Sequence, residues 1–267
     1  MGFDVPPGAK LGSDSHVLND HTYCCQIDST RCFEGNPDVT MSAECLAFHN
    51  RRLSVRSEDA RRLGIPLIIT EFGACIEGPS CRTEIRQVTE VSDYNLTSWA
   101  YWQFKTYKDL TTIAADKSEG FYRKDGTLNL DKVIPLTRPY VPAAQGTILY
   151  MRTINGGNTF VMKFTFDKKI KKPTVLYLNE KYWFQGEMNP EGASADSCET
   201  SSTSQQQKLK IVVSSEGKQL DFGIDYYLKS GEKGTIREYY RELYVKSDKF
   251  DKKSIRVEVS RKDSAEC

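Results

Sequence analysis

The stretch Gly64-Ile65-Pro66-Leu67-Ile68-Ile69-Thr70-Glu71-Phe72-Gly73-Ala74-Cys75 decides the reading of this chain. A proline opens a short apolar run, the run ends on a single carboxylate, and a glycine then releases the backbone. Leu67, Ile68 and Ile69 show no polar alternation, which predicts a strand buried on both faces, as in a parallel sheet. The C-terminal ends of such strands are where a (β/α) barrel carries its catalytic side chains. A carboxylate in that place is what a glycosidase requires of its nucleophile. A charged residue that merely ends a strand is the plainer alternative.

Outward from this run, Val17-Leu18 before His21 and Tyr23 predicts a strand that hands side chains to a site. Residues 41–63 hold Leu46, Phe48, Leu53, Val55 and Leu63 among many arginines, the composition of an exposed helix. Ile85, Val88 and Val91 recur every three residues and predict a second helix over 82–95, and residues 97–104 predict an aromatic-rich strand. Strand, helix, strand, helix, strand is the order of a parallel α/β sheet. After about residue 146 the pattern changes. Runs at 147–154 and 159–166 flank Asn155-Gly156-Gly157-Asn158, a hairpin signal. Further β-rich runs at 174–178, 209–214, 236–245 and 254–259 predict an all-β sandwich. The Ser/Thr/Gln-rich tract at 192–207 reads as a loop.

The 267 residues suffice for one large or two modest domains, and 39% hydrophobic with 27% charged residues is an ordinary soluble composition. A net charge of +1 gives no reason to expect nucleic-acid binding. Residues 1–146 hold 16 Lys/Arg against 19 Asp/Glu and residues 147–267 hold 21 against 17, so the second part carries a small basic excess. That excess suits a solvated sheet face, or peripheral contact with an anionic membrane surface. No apolar run approaches the roughly 18 residues needed to cross a bilayer. The start, Met1-Gly2-Phe3-Asp4-Val5-Pro6-Pro7, has no basic head or apolar core of a signal peptide, and no Ser or Thr completes a myristoylation motif.

The cysteines point the other way. Cys24, Cys25, Cys32, Cys45, Cys75 and Cys81 fall within 58 residues, with Cys198 and Cys267 far downstream. No Cys-x-x-Cys spacing occurs and the histidines lie elsewhere than zinc spacing would put them, so no metal site is expected; no cofactor is called for. Close pairs such as Cys75 with Cys81 read as disulfides of an oxidising compartment, and Asn95-Leu96-Thr97 is a glycosylation sequon. A secreted or lysosomal and endomembrane-lumen location is expected, with the signal peptide missing from this chain.

Three strand ends converge on one face: His21 with Tyr23, then Glu71, then Trp102. A retaining glycosidase needs a carboxylate nucleophile and a second carboxyl about 5–5.5 Å away. A tyrosine hydroxyl donating to the nucleophile keeps it ionised and oriented. A tryptophan face packs on the apolar C–H side of a sugar. Singly, Tyr23 and Trp102 also read as core aromatics and His21 as a buried, satisfied histidine.

At this point a family resemblance enters. Ile69-Thr70-Glu71-Phe72-Gly73, Ser98-Trp99-Ala100-Tyr101-Trp102-Gln103-Phe104-Lys105 and Ser118-Glu119-Gly120-Phe121-Tyr122 resemble the endoglycoceramidases, retaining glycosidases of family five built on (β/α)8 barrels. Asn19-Asp20-His21-Thr22-Tyr23-Cys24 is similar to the stretch before the family's nucleophile strand. Thr137-Arg138-Pro139-Tyr140, Gln145-Gly146-Thr147 and Pro173-Thr174 are similar to its passage into a C-terminal β-sandwich. The resemblance runs from about residue 14 to residue 184.

It implies Glu71 as nucleophile, Tyr23 as its hydrogen-bond partner and His21 as an orienting residue, with Trp102, Trp99 and Gln103 binding substrate. It also implies cleavage between the oligosaccharide and the ceramide of a glycosphingolipid, with Phe72, Trp99, Phe104 and Phe121 as candidates for the lipid-facing wall. The fold expected is therefore α/β plus all-β. Residues 1–146 would form the last strands of a (β/α)8 TIM barrel, and residues 147–267 a β-sandwich.

The chain departs from the family at the acid/base. No Asn-Glu-Pro is present; Asn36-Pro37 lacks the glutamate and Asn189-Pro190-Glu191 is scrambled. Glu119, Glu77 and Asp20 are the nearest other carboxylates. A whole barrel needs about 250 residues, so the expectation is a C-terminal portion, close to inactive alone because the leaving group lacks its acid. A non-catalytic glycolipid-binding role for the sandwich, and a related glycosidase acting on soluble β-glucans, are the alternatives.

Overall fold

The computed structural model describes residues 16–33, 35–104, 119–154, 157–183, 209–246 and 248–261. The Ser/Gln tract, Asn189-Pro190-Glu191, Cys198, Cys267 and the first two residues of the Asn155–Asn158 turn lie outside them. The chain divides into two compact units, Met1–Leu136 and Thr137–Cys267.

The first unit runs β1 (Leu18–Thr22), β2 (Cys32–Phe33), β3 (Asn36–Pro37), α1 (Ser42–Leu63), β4 (Leu67–Phe72), α2 (Pro79–Tyr94), β5 (Ser98–Trp99) and α3 (Leu130–Leu136). Strands β1, β4 and β5 form one sheet in that order, every pair parallel, and β2 pairs with β3 in a small ribbon. The expected alternation of strand and helix is therefore present.

Local chemistry sets the helix ends. Asp38 accepts from the Thr40 amide to cap the turn that leads into α1. Gly64, at φ 70°, closes α1 in the left-handed conformation with its N–H on the Arg61 carbonyl. Pro79 opens α2, three residues before the expected start at residue 82, because its missing N–H costs nothing in a first helical turn.

Three details refine or correct the expectation. The buried stripe of α1 is Cys45, His49, Leu53 and Ala60, while Leu46 and Val55 face solvent. Within β4, Ile69 and Phe72 are fully buried but Leu67 and Ile68 only half, so the apolar run is not covered evenly on both faces. The aromatic strand expected over 97–104 contracts to Ser98–Trp99, followed by an isolated pairing of Trp102 with Gly73.

A polar cluster lies inside this apolar unit. The Thr22 hydroxyl on β1 lies 2.7 Å from His49 Nδ1 on α1. His49 Nε2 faces Glu84 Oε2 on α2 at 3.1 Å, and Glu84 Oε1 accepts from the Cys24 amide at 3.0 Å. Thr22 and His49 are wholly buried and Glu84 nearly so. A carboxylate at that depth is tolerated only when donors face both its oxygens. Disulfides Cys24–Cys45, Cys25–Cys32 and Cys75–Cys81 add covalent ties around it. Cys75–Cys81 is the pair foreseen from sequence.

The second unit contains β6 (Tyr140–Ala143), β7 (Gly146–Ile154), β8 (Thr159–Phe166), β9 (Thr174–Tyr177), α4 (Glu180–Trp183), β10 (Leu209–Ser215), β11 (Lys218–Gln219), β12 (Tyr226–Ser230), β13 (Tyr240–Val245) and β14 (Ser254–Arg261). They make two antiparallel sheets, ordered β11-β10-β14-β8-β7 and β12-β13-β9-β6. Phe160, Met162 and Phe164 of β8 stand in register with Val259, Val257 and Ile255 of β14. They share one core with Leu176, Tyr226 and Leu243 of the other sheet, the arrangement of a β-sandwich.

The unit begins at Thr137 rather than at residue 147, because Tyr140–Ala143 pairs with β9. The strand expected over 236–245 opens as a 3-10 turn, Ile236–Tyr239, before β13. Strand β12 had no counterpart in the sequence reading. No helix among the described residues is long and apolar enough to cross a membrane.

Replacing Glu84 by Ala strands the buried Cys24 amide and the His49 ring together. It should cost about 3 kcal/mol or more, read as a lowered urea midpoint, whereas Glu58→Ala on the solvent side of α1 should leave the midpoint unchanged.

Candidate active site

Strands β1 and β4 lie parallel, and a register shift between Asp20 and His21 sets His21 beside Glu71. The Tyr23 hydroxyl donates to Glu71 Oε1 at 2.6 Å, and His21 Nδ1 lies 3.5 Å from Oε2. Glu71 keeps 28% of its side chain exposed, enough to be reached from outside. Burial first, then the hydrogen bond and charge of Glu71 and the charge of Glu119, push the Tyr23 phenol well above its ordinary range. Tyr23 therefore remains a donor at every physiological pH, and Glu71 is held as the acceptor.

The placement of Tyr23 follows from its neighbours. Thr22 and Cys24 on either side are both fastened by the His49–Glu84 cluster, and Cys24 is also bonded to Cys45. Tyr23 thus projects from a backbone that is clamped before and after it.

Beyond Glu71, Phe72 O accepts the Trp102 amide and Trp102 O accepts the Ala74 amide, both at 2.9 Å. This ladder carries the chain past Gly73, whose φ is 93° and where a Cβ would come within 2.2 Å of the Tyr101 ring. Only glycine fits there. The Trp102 indole N–H donates to Glu119 Oε2 at 3.1 Å, and the Gln103 side chain also bonds this carboxylate.

Glu119 is 9% exposed, and its burial raises its pKa against the opposing pull of Trp102, Lys132 and Gln103. Lys132 is fully buried with Nζ donating to the Gly120 carbonyl at 3.1 Å, and desolvation pulls its pKa down to about 8.

The structure brings Glu71, Tyr23 and His21 together. It gathers Trp102 and Gln103 around Glu119, which feels the charge of Glu71. Trp99 it does not bring: that ring packs edge-on against Phe72 at 5.5 Å, against the apolar cluster of the first unit. Phe72 is buried in the same cluster, Phe121 stacks on Tyr101 and Phe104 is exposed.

Of the other carboxylates, Asp20 accepts from Nε and Nη2 of Arg52, and Glu77 accepts from Arg123. Cys24, Cys45 and Glu84 lie close enough to suggest a ligand set, but both sulfurs are consumed in a disulfide. Sequence reasoning missed Lys132, Tyr101 and the His49–Glu84 cluster. A histidine spaced four residues from both Cys45 and Leu53 was the available sign of the last.

Residues 138–224 match the model of the Glycoside hydrolase family 5 C-terminal domain, a match that falls on the second unit. No curated protein matches the chain. In fold the chain is similar to endoglycoceramidase II from Rhodococcus sp. in its ganglioside GM3 complex, with a TM-score of 0.53 at 16% identity, covering 91% of this chain and 41% of that one. The iminocyclitol complex of the same enzyme gives a TM-score of 0.50 at 18% identity, over 84% and 39%. Sterylglucosidase 1 from Cryptococcus neoformans gives 0.51 at 13%, over 82% and 32%. At such identities the likeness is one of fold, and the chain spans about two fifths of the endoglycoceramidase structure. The resemblance to endoglycoceramidases of family five, as a C-terminal portion, thus has a family-model match and a shared fold behind it.

Lys132 makes a pH prediction. Between its folded pKa of about 8 and its ordinary 10.5, the unfolded chain holds a proton that the folded chain has released. Stability must rise with pH across that window. Relative to Lys132→Met, the wild type should gain roughly 2 kcal/mol in urea unfolding between about pH 7.5 and about pH 10. Parallel curves for the two proteins would show that Lys132 does not titrate low.

Proposed function

We propose that the Glu71 site is that of a retaining glycosidase of endoglycoceramidase type, hydrolysing the bond between the oligosaccharide and the ceramide of glycosphingolipids. The observation that carries this reading is the 2.6 Å bond from Tyr23 to Glu71 Oε1, with His21 on the other oxygen, at the open end of a parallel strand. Glu71 attacks the anomeric carbon, its oxygen forming the glycosyl ester as the bond to the ceramide oxygen breaks. Tyr23 orients the attacking carboxylate and His21 steadies its second oxygen. Trp102 supplies an apolar wall to the sugar ring and Gln103 a polar contact.

The departing oxygen needs a proton. Asp20 and Glu77 are committed to arginines and Glu119 is bonded by Trp102 and Gln103, so the acid is assigned to residues outside this chain, on earlier strands of a (β/α) barrel of which β1, β4 and β5 are the last. Alone, the chain turns over natural glycolipids very slowly. The fold shared with a ganglioside-bound endoglycoceramidase supports the substrate class. Three disulfides support a secretory or lysosomal lumen.

A second reading has one observation in its favour. Phe222 and Ile224 are 65% and 72% exposed on a turn whose Gly223 carbonyl accepts from Lys246. Beside it, Tyr227 and Tyr244 stack at 4.6 Å, with Lys229 and Lys246 over their rings. Apolar tips above tyrosines and lysines suit a glycolipid-bearing membrane surface, and this face makes the sandwich an accessory binding module. Vesicles of phosphatidylcholine with lactosylceramide should then sediment the chain, and Phe222→Ser with Ile224→Ser should release it; equal sedimentation of both proteins removes this reading.

The nucleophile is tested with a substrate that needs no acid. Incubated with 2,4-dinitrophenyl 2-deoxy-2-fluoro-β-lactoside, the chain should acquire one fluorolactosyl group on Glu71 by peptide mass spectrometry, with dinitrophenolate released. Glu71→Gln should stay unlabelled and Tyr23→Phe should label at least tenfold more slowly, roughly the loss of one charge-assisted hydrogen bond. A wild-type chain that takes no label would sink the glycosidase reading.

A further inference from the structure

We infer that Glu119 is a sugar-hydroxyl acceptor of this site, completing with Trp102 and Gln103 a polyol-binding contact beside Glu71. The inference rests on the glycosidase reading and adds a ligand-touching residue to it.

Glu119 is held with unusual completeness. The Tyr101 hydroxyl donates to its own carbonyl at 3.1 Å, and Lys132 Nζ donates to the carbonyl of Gly120 at 3.1 Å. The Phe121 amide donates to Phe104 O at 3.0 Å, and the Phe121 carbonyl accepts from the Asn129 amide at 2.7 Å. Three consecutive residues are thus pinned through their main chain by two segments of the first unit, residues 101–104 and 129–132. Backbone fixed to this degree delivers a side chain to one position before any ligand arrives, which lowers the entropy lost on binding.

The side chain itself is only partly used. An ionised carboxylate offers about four lone-pair sites; among the described residues the Trp102 indole and the Gln103 amide take two. Asp20 and Glu77 are closed by guanidinium groups, but Glu119 is gripped by two uncharged donors, Trp102 and Gln103, the first of which pairs with Gly73 just past Glu71. It also lies near enough to that carboxylate and to Tyr23 for its charge to bear on both. A cation brought to the remaining lone pairs would neutralise Glu71 as well. Paired hydroxyls of a pyranose satisfy them without adding charge, while the Trp102 face covers the sugar's C–H surface. A carboxylate that accepts a sugar hydroxyl in this way rejects a sugar that lacks it, because the site then loses that bond.

The test separates this role from the nucleophile's. Glu119→Gln keeps an acceptor oxygen for the Trp102 indole and removes the charge, so a merely structural role survives it. With the fluorolactoside inactivator and the whole chain, Glu119→Gln should raise KI about tenfold or more while kinact stays within about twofold of wild type. Glu119→Asp, which withdraws the oxygens but keeps the charge, should also raise KI. Saturation-transfer NMR with methyl β-lactoside gives a readout free of chemistry: wild-type contacts to the sugar should be lost in Glu119→Gln. If the wild type takes no label but binds the lactoside and the variant does not, the glycosidase reading fails and this inference stands. An unchanged KI, a fall confined to kinact, or no binding of the lactoside by wild type would overturn it.

Discussion

The first unit depends on one buried carboxylate. Glu84 sits on a helix among apolar side chains, and it is tolerated because the Cys24 amide and the His49 ring face its two oxygens. Satisfying it forces α1, α2 and the end of β1 into a single arrangement, since moving any of them leaves a charge unpaired in a low-dielectric interior. An apolar contact of the same size would permit sliding by a fraction of a residue. The directional bonds do not, and the residue caught between the two clamped positions, Tyr23, is the one that bonds Glu71.

The surface end of the sheet shows a graded use of burial. Glu71 is partly open and keeps a neutral donor, Tyr23, whose deprotonation is suppressed by desolvation and by two nearby carboxylates. Glu119 is deeper and is held by an indole and an amide. Lys132 is deepest; burial weakens its hold on its proton, while its charge favours the ionised form of Glu119. Two carboxylates of like sign can share a small site because each has its own donors and the charge of Lys132 favours the ionised form of Glu119. The proposed chemistry needs that separation of roles: one carboxylate free to attack, another free to bind.

Much of this was legible before any coordinates. The run from Pro66 to Gly73 announced a strand that ends in a carboxylate, and the three-residue spacing of Ile85, Val88 and Val91 announced the helix behind it. In the second unit, alternating runs predicted the β7–β8 hairpin and strands β9, β10 and β14. Where the reading slipped, the cause was tertiary. Trp99 looks like its neighbour Trp102 in sequence, but β5 pairs with β4 at Ile69 and Trp99 packs on Phe72 rather than reaching Glu71. Tyr140–Ala143 has no strong strand pattern and becomes a strand because β9 offers it an edge. The composition of α1 reads as an exposed helix, and it does not reveal that a polar residue, His49, belongs to its buried stripe.

By itself the sequence determined the order of the main strands and helices around Glu71 and of most strands of the second unit, the nucleophile candidate with its tyrosine and histidine, and the cysteine pair closed by a six-residue separation. Each is a property of short segments: periodicity, a proline or glycine at a fixed place, a motif of a few residues. Only the tertiary structure decided that Glu84 and His49 meet across 35 residues, that Lys132 lies under Glu119, and which of three spare carboxylates stands near Glu71. Asp20, Glu77 and Glu119 are chemically alike along the chain. They differ in what packs against them: an arginine for the first two, an indole, an amide and a buried ammonium for the third. That difference arises from contacts between distant segments, which no local pattern encodes.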